Sequence, residues 1–170
     1  VTADVVVVRD DNWGAGAPPF SSLTDSGDNL AGVRVVTGVT VPFNGASQAT
    51  FGQERFVASN LSIAVDPRNS GVVYIAWADC RFRRGCKAND IVISHSLNAT
   101  GTSWSAVSRV PIDSTNSGID HFIPGLAVDR STSGTSARLG LTYYFYPQAT
   151  CTAATCQLRA GFVGATDGGA

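Results

Sequence analysis

The chain has 170 residues, enough for one domain with a core of its own, and a net charge of -1. That charge removes any electrostatic ground for a nucleic-acid or anionic-membrane partner. Charged residues make up only 15% and glycines number 18, a balance that suits an extracellular all-β chain rich in turns, and no apolar run approaches the roughly 20 residues of a membrane span.

In chain order, short segments rich in β-branched and aromatic residues predict strands at Val5–Val8, Val33–Thr37, Leu61–Val65, Val72–Trp77, Ile91–Ser94, Val107–Val110, Leu126–Val128, Leu139–Phe145 and Leu158–Val163. No stretch sustains the apolar spacing of a helix. Turn clusters bound the strands at Asp66–Gly71, Asn98–Gly101 and Asp129–Gly134. Between the first two strands, Asp11–Leu30 is rich in Gly, Pro, Ser and Asp and reads as a surface insertion. Its acidic stretch Asp25–Asn29 is a loose Ca²⁺ candidate at best and reads as a solvated loop.

The order of segments repeats. Ile63-Ala64-Val65-Asp66 recurs as Leu126-Ala127-Val128-Asp129. Each copy is followed by a turn, an apolar strand with an aromatic end, a cysteine pair, a third strand and a Gly turn. A repeat of about 65 residues with three or four strands is the size of one β-propeller blade. The expected architecture is therefore all-β, with two to three propeller blades. Residues 1–60 form a partial blade with the insertion, 61–117 a blade, and 118–170 a truncated blade. The chain contains no Met and no signal peptide, and its last residues stop inside a turn. We expect a fragment cut at both ends, with the remaining blades of a parent propeller as partners.

The cysteines form two close pairs, Cys80 with Cys86 and Cys151 with Cys156. Four thiolates can also hold zinc, but the spacings match no common zinc pattern and no His is close to either pair. Two loop-closing disulfides and an oxidising compartment are expected. No metal and no cofactor is expected.

Ser96-Leu97-Asn98-Ala99-Thr100-Gly101-Thr102-Ser103-Trp104 resembles the Asp-box of bacterial neuraminidase repeats, S-x-D-x-G-x-T-W. Asn98 or Thr100 stands in the place of Asp. Ala165-Thr166-Asp167-Gly168-Gly169 resembles the opening of a second box. Trp77-Ala78-Asp79-Cys80-Arg81, followed by Asp90-Ile91, is similar to a W-x-D-x-R element of sialidase-like proteins. The resemblance covers roughly the last two-thirds of the chain and implies a secreted, periplasmic or cell-surface propeller. Its boxes are then structural, and its ligands bind at one end of the blades.

Two polar clusters qualify for that end. Arg81 is a candidate for clasping a sugar carboxylate bidentately, oriented by Asp79. The other reading is an ion pair that orders a disulfide-closed loop carrying Arg83 and Arg84. Asp120 is a candidate general acid/base, with Asp79 as the second candidate catalytic carboxylate. His121 is a candidate for a sugar hydroxyl or a metal, and a loop-ordering hydrogen bond is the alternative for both Asp120 and His121. Val57-Ala58 occupies the same offset in the first copy. His95 reads as structural. Tyr144, in the run Tyr143-Tyr144-Phe145-Tyr146, is a candidate stacking surface for sugar.

The family's tyrosine nucleophile works with a carboxylate, yet Glu54 is the only Glu here. His121-Phe122-Ile123-Pro124 echoes the family's F/Y-R-I-P element without its Arg. The resemblance implies an exported glycoside hydrolase of exo-α-sialidase type acting on glycans or glycoconjugates. A non-catalytic propeller that binds glycan or protein is the alternative. Asn60 and Asn98 begin N-glycosylation sequons.

Overall fold

A computed structural model describes residues 2–16, 18–40, 60–68, 71–150 and 155–168. Nine strands appear among them, each overlapping a predicted one: β1 (Thr2–Val7), β2 (Val33–Thr40), β3 (Ser62–Val65), β4 (Val73–Asp79), β5 (Asp90–His95), β6 (Ser108–Arg109), β7 (His121–Val128), β8 (Leu139–Phe145) and β9 (Arg159–Ala165). The described residues contain no α-helix, only short 3₁₀ turns at Arg84–Cys86 and Gly134–Ser136.

The strands form three antiparallel sheets, ordered β1-β2, β3-β4-β5-β6 and β7-β8-β9. None closes into a barrel. Within each sheet, neighbours in space are neighbours in sequence, so every connection is a hairpin or meander turn. The first pair carries register shifts near Val5. The third bulges between Phe122 and Gly125, where Ile123 takes a φ of 51°.

The middle sheet is covered on both faces, which explains why β4 reads as a continuous apolar run rather than an alternating one. Ile75, Trp77 and Val92 pack on Val5 and Val39 of the first sheet. On the other face, Tyr74 and Ile93 meet Ala137 and Leu139, and Ala76 and Ile91 meet Leu141 and Tyr143. β8 alternates instead. Leu139, Leu141 and Tyr143 are buried, while Thr142 and Tyr144 are exposed. The three sheets thus stack in chain order.

The sequence repeat occupies equivalent places. Asp66 closes the β3–β4 hairpin through its N–H to the Val72 carbonyl (2.9 Å), and Asp129 closes the β7–β8 hairpin through its N–H to Arg138 (2.9 Å). Each side chain then caps its own turn. Asp66 Oδ1 accepts the Arg68 amide (3.0 Å), and Asp129 Oδ1 accepts the Ser131 amide (2.9 Å). Asp66 also reaches into the next sheet, where its Oδ2 accepts the Gly134 amide at 2.8 Å.

The turn after β5 settles which residue organises the Asp-box-like segment. Asn98 Oδ1 accepts both the Thr102 amide and the Thr100 hydroxyl at 3.1 Å. Gly101 supplies a φ of 71°, which glycine adopts without a Cβ penalty. Trp104 donates its Nε1 proton to the Gly101 carbonyl (3.0 Å) and packs against the cluster around Trp77. Replacing Asn98 by Ala is expected to cost about 1 kcal/mol in urea unfolding, because the turn loses its central acceptor. Asn98→Asp keeps that acceptor and is expected to match the parent.

The insertion is ordered by ion pairs. Arg34 lies 2.9 Å from Asp4, 3.5 Å from Asp25 and 2.6 Å from Asp28. Asp25 also accepts the amides of Gly27 and Arg34. The carboxylates of the acidic stretch are therefore taken by Arg34 and by backbone donors.

Candidate functional site

One end of the sheets gathers the polar side chains. β4 leaves there and β5 begins there, with Asp79 opposite Asp90. β7 also begins there, with His121 opposite Phe145. The β4–β5 loop and the β6–β7 loop meet above these strand ends. Both polar clusters read from the sequence lie at this same end.

The first cluster is local. Asp79 is fully buried. Its Oδ2 accepts Trp77 Nε1 (3.3 Å) and Arg81 Nε (2.7 Å), and its Oδ1 accepts the Arg81 amide (2.9 Å). Arg81 reaches on to the Thr37 carbonyl of β2 at 3.4 Å. The loop that carries Arg81 is closed by the Cys80–Cys86 disulfide, with Cα atoms 4.9 Å apart. Asp79 thus works as the internal brace of a stapled loop, while Arg81 keeps 28% of its side chain exposed. Cys156 is also disulfide-bonded, and Cys151 lies outside the described residues, as do Val57, Ala58 and Glu54.

The second cluster clasps β7 to β5. Asp120 is 2% exposed, and its Oδ1 accepts both the amide (2.8 Å) and the Nδ2 (2.9 Å) of Asn89. The His121 amide returns a bond to the Asn89 carbonyl at 3.1 Å. The imidazole is also buried, edge-on to Tyr143 (5.4 Å) and stacked on Phe145 (6.0 Å). Tyr144 stands on the other face of β8, pointing away from this ring.

Between the clusters lies an ion-pair network. Arg83 Nη2 lies 2.6 Å from Asp90 and 2.7 Å from Asp113. Its Nη1 donates to the Ser114 carbonyl (2.7 Å) and to Ser117 Oγ (2.9 Å). Arg109 approaches the same two carboxylates, at 2.9 Å from Asp90 and 2.6 Å from Asp113. Ser117 Oγ donates to the second oxygen of Asp113. The side chains of Arg83 and Asp90 are 2% and 1% exposed, so two positive and two negative charges balance each other almost out of water. Balance of this kind is what makes buried charge tolerable.

Asp90, Asp113 and His121 place ligand atoms within 4.8 Å of one another. The Oδ1 atom of each aspartate already faces two guanidiniums, and arginine does not give up its proton. Those guanidiniums repel a cation, so the donor set does not suit a metal.

Burial pushes the His121 imidazole below its ordinary value, against a smaller opposing pull from Asp113, whose Oδ2 lies 3.9 Å from Nε2. His95 is lowered by burial as well. A histidine with a depressed folded pKa binds fewer protons folded than unfolded. Its contribution is complete above the unfolded value of about 6.5 and is lost as pH falls below it. We expect the melting temperature to fall between pH 7 and pH 5, with part of the slope removed in His121→Gln. An equal slope in that variant would place the effect elsewhere.

Asn89, Arg109 and Asp113 are the site residues that sequence patterns missed, and Arg83 outranks Arg81 as the buried cation. One signal was available: Arg109 is a lone charge in the strand-like stretch Val107–Val110. No family model matches the chain, and neither a curated protein nor a solved structure matches it.

Proposed function

We propose that the chain is part of an exported, sialidase-like Asp-box β-propeller whose loop-rich end binds glycan without cleaving it. Support for the propeller comes from antiparallel meander sheets that stack in chain order, with repeat-equivalent hairpins closed by Asp66 and Asp129. Export fits the Cys80–Cys86 disulfide. No helix among the described residues is long and apolar enough to cross a membrane.

The observation that carries the non-catalytic reading is the state of the two candidate carboxylates. Asp79 and Asp120 are both buried and engaged by donors of their own chain. A general acid or base must reach the proton it transfers. The groups exposed at this end include Arg81, Arg84, Lys87, Thr115 and Asn116 together with the ring of Phe82, a mixture of cations, polar groups and an apolar face that suits recognition.

A second reading, an exo-α-sialidase-type glycoside hydrolase, is favoured by one feature. Arg81 and the Asp120–His121 pair lie at the same end of the sheets, where a sugar carboxylate and a reacting bond would have to meet.

Binding and turnover separate the two. The chain is expected to retain glycans from an immobilised panel and to release no fluorophore from fluorogenic glycosides, a sialoside included. Arg81→Ala is expected to weaken retention. Turnover that disappears in Asp120→Asn would establish the hydrolase instead.

A further inference from the structure

The disulfide loop and the residue that follows it carry Arg81, Arg83, Arg84 and Lys87 with no acidic residue among them, in a chain with only 12 cationic side chains. Two of the four are neutralised, Arg81 by Asp79 and Arg83 by Asp90 and Asp113. Arg84 and Lys87 are exposed and have no ion-pair partner among the described residues. They flank a cleft of about 170 Å³ whose other walls are Arg83, Ala88, Gly118, Thr115 and Asn116. No described carboxylate lines it.

The cleft is built rather than incidental. One wall is stapled by the disulfide and held in a 3₁₀ turn, with Gly85 at φ 69° and Cys86 at φ 52°. A non-glycine residue at positive φ is held there by its surroundings. The opposite wall is bolted to the first by Arg83, which donates to Ser114 and Ser117. Arg83 is nine-tenths buried, and its Nε has no hydrogen-bond partner among the described residues.

The geometry points to this cleft as a binding site for the anionic group of an acidic polysaccharide, a uronate carboxylate or a sulfate ester. The ligand class rests on the glycan-binding reading above. Two cationic side chains answer one oxyanion, with the Thr115 hydroxyl and Asn116 amide beside them as neutral donors. The cleft is smaller than the roughly 300 Å³ at which sites for whole small molecules begin. It therefore holds one charged group of a longer chain, whose neutral units lie along the exposed rim.

The test is titration of the full chain with three polymers: polygalacturonate for the carboxylate, dextran sulfate for the sulfate ester, and unmodified dextran. Binding of at least one polyanion and not of dextran is expected, weakening as salt rises because the groups are exposed. Arg84→Gln with Lys87→Gln is expected to lower the polyanion affinity roughly tenfold, the scale of two exposed ion pairs. Arg130→Gln, an exposed cation elsewhere, is expected to leave it unchanged. Whichever polyanion binds identifies the anionic group.

Equal polyanion binding by parent and double variant would overturn the assignment. Binding of neutral dextran alone would overturn it too, while leaving the glycan-binding reading intact. Binding of no polymer would overturn the assignment, and the immobilised glycan panel then decides the glycan-binding reading by itself. The double variant is expected to melt with the parent, since both side chains are exposed and neither has an ion-pair partner among the described residues.

Discussion

Replacing Arg83 by methionine is expected to destabilise the fold by about 3–5 kcal/mol in equilibrium urea unfolding. The reason is an imbalance of charge rather than the loss of one contact. Arg83 is 2% exposed and touches both Asp90 and Asp113. Removing it leaves two carboxylates sharing Arg109 as their one guanidinium among the described residues, one of them 1% exposed. The Ser114 carbonyl and Ser117 hydroxyl lose their donor in the same step. Against a typical total stability of about 5–15 kcal/mol, a loss of that size removes a large share and brings a protein at the low end of that range near its unfolding midpoint.

Two comparisons make the claim specific. Arg84→Met, one residue away but exposed, is expected to fall within about 0.5 kcal/mol of the parent. Arg83→Met combined with Asp90→Leu removes one charge of each sign and leaves Arg109 paired with Asp113. That double variant is expected to be less destabilised than the sum of its single changes, by about 0.5–3 kcal/mol. If Arg83→Met unfolds no earlier than Arg84→Met, the network stabilises nothing and the two loops are held together otherwise.

Local signals and distant ones had different fates here. The strands were legible because each is a short β-branched or aromatic run closed by Gly, Asn or Asp. The repeat was legible because Asp66 and Asp129 perform the same task in their hairpins, closing the turn and capping it. The Asp79–Arg81 pair was legible because its members are two residues apart. The network of Arg83, Asp90, Arg109 and Asp113 was not. Arg83 and Asp113 are brought together by two loops folding over one sheet end, and nothing near either residue announces the other. The W-x-D-x-R pattern drew attention to Arg81, although the deeper cation is Arg83. Burial separates them, and burial at a loop depends on the facing loop, which a linear pattern does not contain. The exposure of Tyr144 is likewise set by which face of β8 the middle sheet covers.

Gly71→Ala is expected to lower the melting temperature by about 6–12 °C, or about 3 kcal/mol. A Cβ at this position would lie 2.1 Å from Ala99 Cα and 2.3 Å from Ala99 Cβ. The β3–β4 hairpin and the turn after β5 are pressed together there. Ser96 holds them, donating its hydroxyl to the Gly71 carbonyl (2.8 Å) and accepting the Val73 amide (2.9 Å). Opening enough space for a methyl group breaks both bonds, and Ser96 is 1% exposed, so water does not replace them. Trimming the neighbour does not solve the clash. Ala99→Gly removes the Cβ but leaves the Cα, so Gly71→Ala with Ala99→Gly is expected to stay nearly as unstable as the single change. Gly38 offers the opposite case. Its φ is 66°, but no atom of the described residues lies within 4 Å of an added Cβ. Gly38→Ala meets only the cost of the left-handed conformation, about 1–2 kcal/mol. Thermal melts of the three variants rank space against backbone conformation. If Gly38→Ala is the more damaging change, the two turns are not in the close contact described, and the Asn98–Trp104 turn is free to move away from β3 and β4.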